Sequence, residues 1–350
     1  MAYTTIDDPS VYFQTAKYTG NGGASNAITN DGNSNLQPDW LWIKERSSDS
    51  AHTLFDSSRG VDKQIYTNNT DVENSASALN SFNTDGFTVG SDGKTNENSQ
   101  TYVGWQWKAN GGTTASNSSG TITSTVQANT TAGFSIVTYT GNGSSGATIG
   151  HGLGAVPDTI IIKARSDTQN WFVNTPVGGG VGYLMLNQTN GDSGANSTVW
   201  NSTTPTSTVF TLGNSGGING NTQTYIAYCF KSIKGYSKIG TYVGNGNDDG
   251  PFIYTGFKPA WLMIKRTDTT ADWFIMDNTR DDYQNPFADL LSPNLNDAEN
   301  ANTARGDFTS NGFKWRVSPN ALNKVDNTYF YMAFAESPFV SSAGVPTTAK

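Results

Sequence analysis

The sequence predicts an all-β protein built from three tandem, homologous antiparallel β-sandwich units. Three observations carry that prediction. The chain is rich in Gly, Asn, Ser and Thr, with 12% aromatic and only 14% charged residues, so turn and strand formers prevail over helix formers. Short apolar or alternating runs recur between turn signals, and no long 3.6-residue periodicity appears. A set of landmarks also returns three times in the same order.

The first landmark is the turn "YTGNG" at 18–22, repeated at 139–143 and as "YVGNG" at 242–246. Gly-Asn-Gly supplies the positive φ of a tight turn after a strand ending in Tyr. Next comes a proline-led run: "PDWLWIKERS" (38–47), "PDTIIIKARS" (157–166) and "PAWLMIKRTD" (259–268). Such a run suits a core strand, and its first residue can spare an N–H. A polar hairpin loop then leads to "HTLFD" (52–56), "NWFVN" (170–174) or "DWFIMD" (272–277). A strand around Phe87, Phe210 or Phe313 precedes the closing strand, "TYVGWQWKA" (101–109), "TYIAYCFKS" (224–232) or "FYMAFAESP" (330–338). In the first closing strand Tyr102, Gly104 and Gln106 point one way, and Val103, Trp105 and Trp107 the other. The one helical expectation is a turn or two in "PFADLLSPNLNDAEN" (286–300), before Pro293.

The copies lie roughly 120 and then roughly 100 residues apart, the size of a small domain and not of a solenoid repeat. Unit one spans 1–110, a Gly/Ser/Thr-rich linker with one strand at "TITSTVQA" spans 111–132, unit two spans 133–232, unit three 233–340, and 341–350 is a polar tail. Units two and three meet almost without a linker and should pack firmly, leaving unit one freer.

Charge and chemistry narrow the function. A net charge of −8 without a basic stripe argues against nucleic acid. The start shows no Sec-type signal, no run is long enough to span a membrane, and the Asn-x-Ser/Thr sequons read as chance in this composition. The single cysteine, Cys229, reads as a small buried side chain. His151 lies in a "GHGLG" turn before a strand, and His52 shares a strand face with Asp56; neither has the surroundings of a catalytic centre. No catalytic residue, cofactor or metal is therefore expected. The candidates for calcium are Asp71 and Glu73, matched by Asp297 and Glu299, against a reading as solvated loops. Asp56-Ser-Ser-Arg59 matches Asp277-Asn-Thr-Arg280 as an Asp-to-backbone turn with a local Arg, while unit two reads Asn174-Thr-Pro-Val177 and has a Gly/Ser-rich stretch near 187–197. Trp200 and Trp315 lie outside the shared frame and are the candidates for exposed, ligand-stacking rings.

The segments "NTTAGFSIVTYTGNGSSGATIGHGLGAVPDTIIIKARS" (129–166), "TYIAYCFKSIKGYSKIGTYVGNGNDDGPFIYTGFKPAWLMIKR" (224–266) and "YFYMAFAESPF" (329–339) resemble an uncharacterised domain repeated in phage structural proteins, notably tail-associated and virion proteins of marine phages. "GHGLG" and "GYSKIG" fit that pattern, and unit one is more divergent. The resemblance implies a virion component with a lectin-like, jelly-roll sandwich, and it assigns no catalytic residue. The expectation is a non-enzymatic surface protein of tail fibre or spike type that attaches to a host glycan or other receptor. It would be assembled in the host cytoplasm, released by lysis, and partnered by other virion proteins and by copies of itself. The alternatives are a capsid decoration or tail connector scaffold and, third, a tail-borne glycan depolymerase, for which no spacing pairs two carboxylates.

Overall fold

A computed structural model describes residues 3–282, 284–301, 303–318 and 320–347. It is nearly all strand, in antiparallel sheets, with helices of about one turn. Three large sheets share one strand order. In the first, Phe13–Thr19 pairs with the closing strand Thr101–Trp107, which pairs with the proline-led Trp40–Glu45, followed by Thr53–Asp56 and Lys63–Tyr66. In the second, Phe134–Thr140, Thr224–Phe230, Thr159–Ala164, Phe172–Asn174 and Tyr183–Met185 hold the same places. In the third they are Ser237–Val243, Thr328–Pro338, Phe257–Arg266 and Trp273–Asp277, with Leu291 bridging Ile275 where the fifth strand stands elsewhere.

Each large sheet buries both faces. Its outer face carries a small sheet: Asn26–Ile28, Phe87–Val89 and Leu79–Phe82 on the first, Ala147–Gly150 and Val209–Leu212 on the second, and Phe252–Tyr254, Gly312–Trp315 and Gly306–Thr309 on the third. Leu41, Phe55, Phe87 and Tyr102 fill the first sandwich; Ile160, Phe210 and Tyr225 the second; Leu262, Phe313 and Tyr329 the third. The inner faces converge on one central core containing Trp40, Trp42, Trp105 and Trp107, then Ile161, Trp171, Tyr228 and Phe230, then Trp261, Met263, Trp273 and Phe334. Trp40 stacks on Tyr228 with centroids 4.7 Å apart, and Trp107 meets Trp261 edge-on at 5.4 Å. Strand alternation produces both cores at once: Val103, Trp105 and Trp107 face the centre and Tyr102 faces out.

The shared core corrects the picture of a freer first unit. Residues 111–132 are not a free linker: Ala115–Asn117 and Ser124–Asn129 extend the second sheet. Asp39 accepts hydrogen bonds from the N–H groups of Ala109, Gly111 and Gly112, and Gln127 from those of Asn110 and Gly112. The helical turns expected in 286–300 are also absent. Phe287, Leu290 and Leu291 instead bridge Gly306, Asn300 and Ile275, because the backbone there completes the edges of two sheets. In the tail, Ser342 N–H donates to Asp7, and residues 348–350 lie outside the described residues.

Candidate functional site

The repeated turn is held the same way three times. A buried Asn from a one-turn helix (Asn96, Asn219 or Asn323) accepts the N–H of the turn's own Asn (Asn21, Asn142 or Asn245). Its amide donates into the same loop, to Gly23, Ser144 or Asn247 carbonyls. The turn's first Gly is required by close approach: a Cβ on Gly20, Gly141 or Gly244 would fall 2.1, 2.5 or 2.2 Å from a carbonyl oxygen. The second Gly, at 22, 143 or 246, has φ of +64, +71 or +67°.

The chemistry-bearing side chains gather where the large sheets meet. Lys44, Lys163 and Lys265 are the next-to-last residues of the three proline-led strands, and each is buried. Each donates to the carbonyl of its own successor and to a carbonyl of a neighbouring sheet's segment: Lys44 to Asn296 (3.3 Å), Lys163 to Thr70 (3.2 Å) and Lys265 to Thr189 (3.0 Å). The three contacts close a ring of segments, third to first, first to second, second to third. Burial pushes each ammonium down to about 8.

A second set of contacts lies alongside. Between the first and second segments, Arg59 binds Asp56 and Glu73, and Glu73 also takes Arg165 through two hydrogen bonds of 2.8 and 3.0 Å. The Tyr228 hydroxyl donates to Asp56 at 2.8 Å. Between the third and first segments, Arg280 binds Asp277 and Glu299, and Glu299 takes Arg46 at 2.6 Å. Trp105 Nε1–H donates to Asp277 at 2.9 Å. The Glu73 N–H donates to the Arg165 carbonyl and the Glu299 N–H to the Arg46 carbonyl, both at 2.9 Å. Burial works against the two glutamates, yet the paired guanidiniums hold both below the usual carboxylate range.

Between the second and third segments the backbone contact recurs without the charges. The Asp192 N–H donates to the Thr267 carbonyl at 2.8 Å. Pairing of Leu41 with Phe55 and of Ile160 with Asn174 puts Thr175, not Asn174, in the place of Asp56, and Gly178 in the place of Arg59. The sequence match of Asp56 to Asn174 was thus one residue out of register.

The candidates named from sequence change accordingly. Glu73 and Glu299 are committed to arginines, whereas Asp71 and Asp297 are exposed, Asp71 bonding Asn69. The described residues contain no group of three or more metal-ligating side chains. Trp200 and Trp315 are 1% and 0% exposed. Trp200 ends a helical turn packed into the second sandwich and Trp315 a strand in the third, so neither ring offers a face to a ligand. Among the described residues, the large exposed rings are Phe252 and Tyr254, on an edge strand of the third small sheet. His52 sits in the central core, taking the Trp42 indole N–H at 2.9 Å, and burial with the nearby Lys44 and Arg280 keeps it neutral. Cys229 is buried, and burial pushes its thiol up to about 12. Asp192, Arg46 and Arg165 were missed; the arginines sit two residues after the Ile-Lys of units one and two, where unit three has Thr267. No curated protein and no solved structure matches the chain. A family model described as a domain of unknown function, DUF7483, matches residues 8–338.

Proposed function

From the premise that the chain belongs to the DUF7483 family, we propose a structural role without catalysis: a rigid virion-surface component of tail fibre or spike type that meets a host glycan or other receptor. The observation that carries this reading is where the chain places its chemistry. Nine tryptophans and both histidines are buried and the paired Arg and Glu side chains largely so, while Gly- and Asn-rich loops and the Phe252–Tyr254 edge face outward. Buried, mutually satisfied ionic groups fix an arrangement, and their charges are taken up in pairing. The resemblance to repeated domains of phage structural proteins supports the virion setting.

Tyr254 and Phe252 replace Trp200 and Trp315 as the rings on which a sugar can stack. Among the described residues the same strand is hydrogen-bonded to another strand on one side only, and that edge also favours a scaffold reading in which another virion protein adds a strand. The test uses particles purified from a culture that encodes the chain. Antibody raised against the chain should label the particles and block adsorption to host cells. Label without blocking leaves the scaffold reading, and no label overturns both. Release of oligosaccharide from host polysaccharide by the purified chain would overturn the non-catalytic reading.

A further inference from the structure

We propose that the junction between the second and third segments holds a binding site for a guanidinium group, supplied from outside the chain. The two other junctions define what such a place normally contains. In each, a glutamate whose N–H bonds a neighbouring carbonyl holds that neighbour's arginine, Arg165 or Arg46. Here Asp192 takes the place of the glutamate, and its N–H makes the same bond to Thr267. Thr267 takes the place of the arginine, and Gly178 the place of Arg59 and Arg280. The carboxylate is kept and both guanidiniums are gone.

The local structure carries the mark of that loss. Asp192 Oδ1 accepts the Gly194 N–H at 2.7 Å, whereas Oδ2 is buried without a hydrogen-bond partner. Gly182 makes room for this carboxylate, since a Cβ there would fall 2.5 Å from Oδ1 and 3.0 Å from Oδ2. A cavity of about 470 Å³ opens at the same junction, lined by Tyr183, Met185, Asn190, Asp192, Asp268 and Thr269. An aromatic ring, a thioether and two carboxylates suit a flat, weakly hydrated cation, and guanidinium is that cation. Either a free guanidine compound or an arginine side chain on a partner protein has this chemistry.

The probes are agmatine and the capped tripeptide acetyl-Gly-Arg-Gly-amide, with butylamine and matched sodium chloride as controls. Saturation-transfer NMR should show both guanidines bound at millimolar concentration, and 10 mM agmatine should raise Tm by about 2 °C. Binding by agmatine alone assigns the site to a small guanidine; binding by both assigns it to an arginine side chain as well. Asp192→Asn should abolish the signal without lowering Tm, because the amide oxygen can keep the Gly194 N–H bond while the charge is removed. Thr267→Arg should raise Tm and block the probes by supplying the missing group in cis. Absence of signal for both guanidines, equal binding of butylamine, an undiminished signal in Asp192→Asn, or a lowered Tm in Thr267→Arg would each overturn the proposal.

Discussion

Arg59 and Arg280 have fully buried side chains, each between an aspartate three residues earlier and a glutamate from the following loop. Removing one partner of such a set leaves the others charged and desolvated, which costs about 3–5 kcal/mol. Arg59→Met should therefore lower the unfolding free energy, read from urea titration, by that much; a loss under about 1 kcal/mol would mean the acids find water or protons instead. The lysines at 44, 163 and 265 make a different prediction, in pH. Each is pushed from its ordinary value to about 8 in the fold. Between pH 8 and about 10.4 the unfolded chain then binds more protons than the folded one, so stability rises with pH, by up to about 1.4 kcal/mol per pH unit per lysine. The groups facing them are Glu45, Asp49, Asp297 and Glu299 for Lys44, Asp71 and Asp167 for Lys163, and Asp272 and Arg266 for Lys265. Above about pH 10 buried tyrosines such as Tyr139, raised by burial, reverse the trend, since the unfolded chain ionises them first. Urea midpoints should climb from pH 8 to 9.5, and Lys163→Met should flatten the climb. A flat profile in the parent chain would show that the carbonyls around Nζ outweigh burial.

At the scale of the element, the repeated turn is a loop and its clamp. Asn219 accepts from Asn142 N–H and donates to the Ser144 and Gly213 carbonyls, so Asn219→Ala orphans several backbone groups at once. Each buried unsatisfied group costs about 1–3 kcal/mol. The variant should lose at least that much stability, and amides 142–144 should exchange with solvent faster, while the central core stays protected. Exchange unchanged at those amides would mean that Gly141 and Gly143 hold the turn unaided. The turn was legible in sequence because Gly-Asn-Gly encodes it locally; the clamp was not, because Asn219 lies far along the chain and a lone Asn in "GGING" carries no long-range label. The same divide runs through the strands. Proline-led strands announced themselves as short apolar runs and the closing strand by alternation, down to the split of Tyr102 from Trp105 between two cores. Residues 286–300 looked helical by local propensity and became bridges, because sheet edges supplied partners that propensity does not register. Trp200 and Trp315 looked exposed only because no copy shared them; position outside a repeat says nothing about burial.

For the whole molecule, the decisive feature is that each large sheet has a second apolar face. A self-contained sandwich needs one buried face per sheet, and its other face reads as polar. Here Trp40, Trp42, Trp105 and Trp107 would stand in water if the first segment were separate, and so would Ile161, Trp171, Tyr228 and Phe230 in the second. Sequence marked these as strand residues; which neighbour covers them follows from the arrangement of three sheets, which no short pattern encodes. Burying an aromatic or large aliphatic side chain contributes about 1.5–3 kcal/mol, so a dozen of them at the centre exceed the net stability of a typical domain, about 5–15 kcal/mol. The segments should therefore fold as one body. Calorimetry of the full chain should give a single transition with calorimetric and van't Hoff enthalpies in agreement, and residues 133–232 expressed alone should bind hydrophobic dye and melt without cooperativity. Three resolved transitions, or a cooperative melt from the isolated segment, would return the molecule to independent modules and leave the central tryptophans as a docking face between them.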